Sequence, residues 1–148
     1  MKELFFICKH CGNIIAMIKN SGVSIQCCGE DMQEIIPGTT EASEEKHIPV
    51  YKTEGDMVTV SVGSAQHPME PEHYIEWVCI ESDDGFQYKR LSPNTPPKAN
   101  FSLSKGDSVK AVYAFCNQHN IQNINHNPAC SWNCIQGNLY NLKIHLFR

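Results

Sequence analysis

The chain has no long apolar run. Its apolar stretches, such as Leu4–Cys8 and Ile14–Ile18, are five residues each, far short of the about 20 that a transmembrane helix needs. The first residues carry one lysine and a very short apolar stretch, without a full hydrophobic region or a small-residue cleavage site. We therefore expect no signal peptide, no membrane association and a cytoplasmic location.

Positive charge is also scarce. The 148 residues include 12 Lys and Arg against 16 Asp and Glu, which gives a formal net charge of −4. This balance argues against a nucleic-acid surface and against a polybasic membrane patch. A hydrophobic fraction of 41% with 19% charged residues is typical of a folded domain. A helical hydrophobic repeat of useful length is missing as well, which points away from α-helix.

Cysteine and histidine, by contrast, are abundant, with eight and seven residues respectively. Four of the cysteines lie within the first 28 residues, and four of the histidines lie between His47 and His119. In a reducing cytoplasm a disulfide framework is disfavoured, so metal binding is the leading interpretation of this clustering.

The chain divides into four segments. Residues 1–36 form a cysteine-rich head that is too small to bury much core and should need a metal staple. Residues 37–44, PGTTEASE, have the composition of a linker. Residues 45–122 form the body, and residues 123–148 form an asparagine-rich tail that we assign to no element and no role.

The body has the pattern of an all-β domain. MVTVSVG alternates valine with polar residues, which is strand periodicity. YIEWVCIE and FQYKRL flank a turn at Asp83–Gly85 and are typical of a hairpin. Six or seven such short strands predict an immunoglobulin-like antiparallel β-sandwich behind the metal-stapled head.

The head contains a candidate four-cysteine metal site. Cys8 and Cys11 are spaced to hold one metal from a tight knuckle, and the adjacent pair Cys27 and Cys28 would complete a tetrahedral cage. Adjacent ligands are unusual, because most zinc ribbons use a second Cys-x-x-Cys. Spacing alone leaves zinc and iron open, with a disulfide-linked head as a third interpretation.

The body contains a second candidate metal site at the ends of its predicted strands. Loops gather there at one pole of a sandwich, and imidazole and thiolate suit iron, zinc or copper. Five ligands leave one position of a six-coordinate metal open to a small molecule, which predicts a catalytic rather than a closed structural site. The candidate ligands are His47, His67, His73, Cys116 and His119.

Together these residues resemble desulfoferrodoxin, the two-iron form of superoxide reductase, over about residues 3–119. The head is similar to a desulforedoxin domain through its four cysteines. The body is similar to a neelaredoxin domain through EKHIPV, HPMEPEHYIEW and CNQH. This combination of motifs, in this order, is highly specific.

The resemblance implies a rubredoxin-type iron in the head and a square-pyramidal ferrous centre in the body. In the body centre the four histidines would be equatorial and the Cys116 thiolate axial, with Glu45 as sixth ligand of the oxidised iron. Lys46 would guide superoxide to the open position. The implied reaction is one-electron reduction of superoxide to hydrogen peroxide. The implied partners are a small electron donor such as rubredoxin and a second copy of the chain.

The resemblance ends at His119, after which the sequence departs from the family. Cys130 and Cys134 belong to no family motif and are interpreted as free thiols or as an accessory metal site. Two other functions remain open on the residues alone. One is an iron electron-transfer protein without superoxide chemistry of its own, and the other is a zinc-stapled β-sandwich that works as an interaction module.

Overall fold

The computed structural model describes residues 4–37, 48–63, 67–118 and 120–125, and every regular element in these ranges is a β-strand. This confirms the all-β prediction. The described part of the chain holds no helix long and apolar enough to cross a membrane. The strands of the head are β1 Leu4–Ile7, β2 Ile14–Met17, β3 Gln26–Cys27, β4 Glu30–Asp31 and β5 Gln33–Ile35. Those of the body are β6 Pro49–Glu54, β7 Met57–Val62, β8 Ile75–Ser82, β9 Phe86–Arg90, β10 Lys98–Ser102, β11 Val109–Cys116 and β12 Asn120–Asn125.

The head consists of a small sheet and a tight hairpin. Its sheet has the antiparallel order β2-β1-β5, and β3 pairs with β4. The β3–β4 loop has only two residues, Cys28 and Gly29, with φ angles of 54° and 84°. Two positive φ angles define a type I′ turn, whose twist suits a two-residue hairpin. The adjacent cysteine pair is therefore the entry to a tight turn.

The body is a sandwich of two antiparallel sheets, ordered β10-β7-β6 and β12-β11-β8-β9. On β7, Val58, Val60 and Val62 are buried while Thr59 and Ser61 are partly exposed, as the alternation in MVTVSV predicts. The core between the sheets is built from apolar side chains of β7, β8, β10 and β11.

The head sheet covers the outer face of the four-stranded body sheet. Phe5 of β1 is buried in a second apolar cluster with aromatic side chains of β8 and β11. Its ring centroid lies 5.8 Å from that of Trp77 and 5.1 Å from that of Tyr113. Burying one such side chain stabilises a fold by about 1.5–3 kcal/mol, so this contact joins head and body.

The last described strand crosses the predicted boundary between body and tail. β12 pairs with β11 from Cys116↔Asn120 to Ala111↔Asn125, whereas the sequence placed the end of the body at residue 122. In NIQNIN the two isoleucines stand three residues apart, which is not the period of a strand, and pairing with the buried β11 supplies what the sequence pattern lacked. The body sheet therefore extends at least to Asn125.

Candidate metal centres

The first half of the head site is a knuckle at the end of β1. The Cys8 N–H donates to the carbonyl of Asn13 at 2.9 Å, and the Gly12 N–H donates to the carbonyl of Cys8 at 2.9 Å. Gly12 has a φ of 76°, a conformation that costs glycine little and other residues more. This turn directs Cys8 and Cys11 toward the same point, as the Cys-x-x-Cys spacing predicts.

The β3–β4 hairpin brings the second pair of thiols to the knuckle. The Sγ atom of Cys27 lies 3.6 Å from that of Cys11 and 4.0 Å from that of Cys28. All four Sγ atoms, including that of Cys8, lie within 4.8 Å of one another. Thiolates bound at about 2.3 Å around a tetrahedral metal stand about 3.8 Å apart. The four cysteines therefore fit one tetrahedral ion.

The acid–base properties of Cys8, Cys27 and Cys28 also fit a metal cage. The backbone N–H of Cys11 lowers the pKa of Cys8 to about 6. Hydrogen bonds with the Cys11 and Cys8 side chains raise the pKa of Cys28 to about 12, and the Cys11 side chain likewise raises the pKa of Cys27. Adjacent thiols thus resist ionising together, and a bound cation removes that conflict by stabilising every thiolate.

Two neighbouring contacts tie the knuckle to the hairpin. The Asn13 side chain amide lies 3.7 Å from the Sγ of Cys27, to which it donates. His10, inside the knuckle, lies 3.0 Å from the carboxylate of Glu30 on β4. Sequence reasoning missed both Asn13 and His10, because a single Asn or His beside a cysteine motif carries no signal of its own.

The body site forms where a loop meets the end of a strand. His67 and His73 lie in the loop between β7 and β8, and Cys116 ends β11. A tight turn shapes the loop, since the backbone groups of Glu70 and His73 exchange hydrogen bonds of 3.1 and 3.0 Å. The ligand atoms of the two histidines and the cysteine lie within 4.8 Å of one another.

The two imidazoles are arranged as ligands would be. His67 is 2% exposed, and its Nδ1 lies 2.6 Å from the Pro68 carbonyl oxygen. A carbonyl only accepts, so Nδ1 carries the proton and Nε2 presents its lone pair. The rings of His67 and His73 meet edge-to-face with centroids 4.7 Å apart. The buried His67 and the partly exposed His73 beside the buried Cys116 thiol fit a metal such as iron.

An open cavity of about 450 Å³ adjoins the body site. The side of the cavity opposite His67 is formed by the loop before β10. A 2.6 Å hydrogen bond from the Asn94 N–H to the Met69 carbonyl joins this loop to the loop that carries His67 and His73. A small molecule and water therefore have a route to His67. The cavity is lined by His67, Met69, Asn94, Thr95 and Pro96.

The structure brings together seven of the predicted site residues. These are the four head cysteines and the body trio of His67, His73 and Cys116. The other predicted site residues lie outside the described residues, as do the tail cysteines. Those residues are Glu45, Lys46, His47, His119, Cys130 and Cys134.

The head carries a four-cysteine cage, and the sandwich carries a His/Cys cluster at one end. These two features together define a class of two-centre metalloproteins. A sequence model of the desulfoferrodoxin family matches residues 39–124. The chain belongs to the desulfoferrodoxin family. Its two ligand groups match the family's four-cysteine and histidine/cysteine iron centres.

Individual relatives agree with this assignment. The chain is 37% identical over 117 residues to a desulfoferrodoxin of Clostridium acetobutylicum, covering 78% of this chain and 90% of the relative. It is 42% identical over 113 residues to that of Nitratidesulfovibrio vulgaris, covering 76% and 87%. The crystal structure of the superoxide reductase from Treponema pallidum superimposes with a TM-score of 0.71 at 38% identity, covering 84% of this chain and 99% of that chain.

Proposed function

We propose that the protein reduces superoxide to hydrogen peroxide at the body centre, and that the head centre carries electrons. The observation that carries this proposal is the convergence of His67, His73 and Cys116 within 4.8 Å at one end of the sandwich. The same chain resembles a superoxide reductase structure over 84% of its length. An enzyme of this kind consumes one superoxide, one electron and two protons for each hydrogen peroxide.

The proposed ligand set adds His47 and His119 to the trio that the structure brings together, with Glu45 as a sixth ligand of the oxidised centre. Iron held by these residues supplies the single electron that superoxide accepts. The buried Cys116 thiolate would add electron density to that iron, as a thiolate ligand does in haem proteins. The open cavity beside His67 admits the small anion and the water that delivers protons.

Lys46 supplies the positive charge that substrate capture needs in this proposal. The chain carries a net charge of −4, which repels an anion such as superoxide at long range. A cation placed beside the open position reverses that repulsion locally and raises the association rate. Lys46 precedes the proposed ligand His47 in the sequence, which is the reason for choosing this lysine.

The proposal includes a small redox protein such as rubredoxin as electron donor. Cys11 and Cys28 are exposed on the head, which supports it, because an exposed edge of the thiolate cage lets a partner approach closely. We also propose a homodimer. The large apolar side chains of Ile18 and Val23 are 83% and 73% exposed, so the head offers apolar surface that a second copy would cover. A cytoplasmic location completes the proposal.

Replacing Cys116 by serine tests the function directly. Serine is a weak neutral donor, so iron affinity of the body site should fall by about 100-fold or more, beyond what loss of an outer contact causes, and superoxide reduction should fall with it. Iron analysis, the visible spectrum and stopped-flow mixing with superoxide measure these effects. A colourless, zinc-loaded parent protein would instead favour the interaction module.

Cys79→Ser is the matched control, because Cys79 is also buried but lies in the cluster between β8, β11 and the head. This variant should keep both irons and the parent's reaction rate. Superoxide reduction at the parent's rate in Cys116→Ser would show that the thiolate ligand lies elsewhere, whereas iron without superoxide reduction in the parent would contradict the proposed function and favour the electron-transfer alternative.

A further inference from the structure

One side chain connects the two segments that carry the body ligands. Asn117 directly follows Cys116, and its side chain reaches across to the histidine loop. Its Oδ1 accepts a 3.0 Å hydrogen bond from the Tyr74 N–H, and its Nδ2 donates a 3.0 Å hydrogen bond to the Glu72 carbonyl. Glu72 and Tyr74 are the two neighbours of His73. One amide therefore holds the backbone on both sides of a ligand.

The orientation of this amide is fixed by its partners. A backbone N–H can only donate and a carbonyl can only accept, so the two ends of the Asn117 amide cannot exchange places. The backbone N–H of Asn117 adds a third bond, donated to the Tyr74 carbonyl at 3.2 Å. Asn117 thus makes three hydrogen bonds to residues more than 40 positions away in the sequence. Three such bonds restrict the loop far more than a single hydrogen bond would.

The same amide lies beside the thiol. Oδ1 of Asn117 is 4.0 Å from the Sγ of Cys116, so it stands next to the sulfur while it accepts from Tyr74. A neutral amide tolerates a thiolate at this distance, whereas a carboxylate would add a like charge. The position thus favours a side chain that both donates and accepts and carries no charge.

We propose that Asn117 is a positioning residue that sets the separation of the His73 imidazole and the Cys116 thiolate for the metal. This inference rests on the metal centre of the proposed function. Contacts that orient metal ligands typically contribute 10- to 100-fold to metal affinity. Asn117 contacts the neighbours of His73 and is the neighbour of Cys116, so its loss releases two ligands at once.

Gln118 provides a matched control. Its Nε2 donates to the same Glu72 carbonyl at 2.9 Å, and its side chain is exposed, as is that of Asn117. It therefore shares one of the contacts of Asn117 and lies one residue further from the thiol. If the loop only needs a hydrogen bond at Glu72, the two side chains should matter equally.

The test uses the full chain loaded with iron and three variants, Asn117→Ala, Asn117→Asp and Gln118→Ala. Chelator competition should show the body iron bound 10- to 100-fold more weakly in Asn117→Ala, less than 3-fold more weakly in Gln118→Ala, and the head iron unchanged in both. In the iron-loaded protein, hydrogen exchange at the Tyr74 amide should accelerate in Asn117→Ala and stay at the parent's rate in Gln118→Ala.

Asn117→Asp separates positioning from folding. Aspartate has the shape of asparagine and keeps the acceptor for Tyr74, but it loses the donor to Glu72 and places a negative charge beside the thiolate. The midpoint potential of the body iron should fall, because negative charge stabilises the ferric state, while that of the head iron stays constant. The added charge lowers the potential whatever the role of Asn117, so positioning is read from affinity: the body iron should bind more weakly than in Gln118→Ala, although a negative charge alone would strengthen the binding of a cation.

Equal iron affinities in Asn117→Ala and Gln118→Ala would overturn the inference. Should Asn117→Ala yield no folded protein, the iron affinity of Asn117→Asp relative to that of Gln118→Ala decides. A parent protein that binds iron but does not reduce superoxide would contradict the proposed function only, since affinity, potential and amide exchange are measured without superoxide.

Discussion

Phe5 of the head meets Tyr113 of the body edge-on, with their ring centroids 5.1 Å apart and their planes inclined by 62°. This geometry places the positive edge of one ring against the negative face of the other, which contributes about 0.5–1.5 kcal/mol beyond the burial of the rings. Phe5 is 3% exposed, although it lies on a head of only five short strands. The head therefore takes part of its core from the body.

Phe5→Ala should destabilise the protein by about 3–5 kcal/mol, because it leaves a cavity between two sheets. Phe6→Ala is the matched control, since Phe6 is the next residue of β1 and is only partly buried, and it should cost less than half as much. Denaturant unfolding of the iron-loaded proteins measures both values. Equal losses in the two variants would mean that the contact with Tyr113 does not join the domains.

The packing of the head on the body explains which strands showed a clear pattern in the sequence. β7 alternates buried and exposed residues because one of its faces packs on the core, so its period of two was recognisable. In β8 and β11 most residues are buried in sequence, because the sandwich core lies on one side and the head on the other. Their apolar runs predicted strands. Nothing in those runs indicated that the head packs on the outer face of the sheet.

The two groups of candidate ligands that the structure describes were predictable, and the residues that support them were not. Cys-x-x-Cys and the paired Cys27 and Cys28 restrict the chemistry by residue type alone, because thiolates in such spacing have few other uses. Asn117 holds its partners through main-chain groups of residues more than 40 positions away. Main-chain groups are common to all residue types, so the sequence does not indicate which main-chain groups the side chain of Asn117 contacts.

Cys28→Ser should remove the head metal, because it replaces one of four thiolates at the tight turn between β3 and β4. Four thiolates around one ion replace the core that a head of this size lacks, so residues 1–36 should lose their order while the body stays folded and keeps its iron. Iron analysis and the visible spectrum of the head centre check this. A full head metal signal in Cys28→Ser would show that a different fourth ligand is used.

Removal of the tail should leave both metals bound, provided that the truncated chain keeps all of β12. A chain ending at Asn125 keeps the whole ladder between β11 and β12, whereas one ending at Gln122 removes half of a strand that pairs with the ligand-bearing β11. The first truncation should match the parent in iron content, and the second should be less stable. Loss of either metal from the first would make Cys130, Cys134, His126 and His145 candidate ligands.

Lys46→Ala should slow the capture of superoxide without emptying either iron site. A protonated ammonium cannot bind iron, but its charge attracts the anion, and steering of this kind contributes about 10-fold or more to association rates. Because screening shortens the reach of charge as salt rises, the variant should show a flatter dependence of rate on ionic strength than the parent. Stopped-flow mixing or pulse radiolysis across a salt series measures both effects.

Lys52→Ala is the matched control for this prediction. Lys52 is exposed on β6, and its loss changes the formal net charge from −4 to −5, the same change that Lys46→Ala makes. Steering that depended on net charge alone would slow both variants equally. A local role for Lys46 requires Lys52→Ala to keep nearly the parent's rate and salt slope while Lys46→Ala loses about 10-fold at low salt. Equal rates in all three proteins would make Lys46 an ordinary solvated lysine, and superoxide would then have to reach the centre against the net charge of the chain.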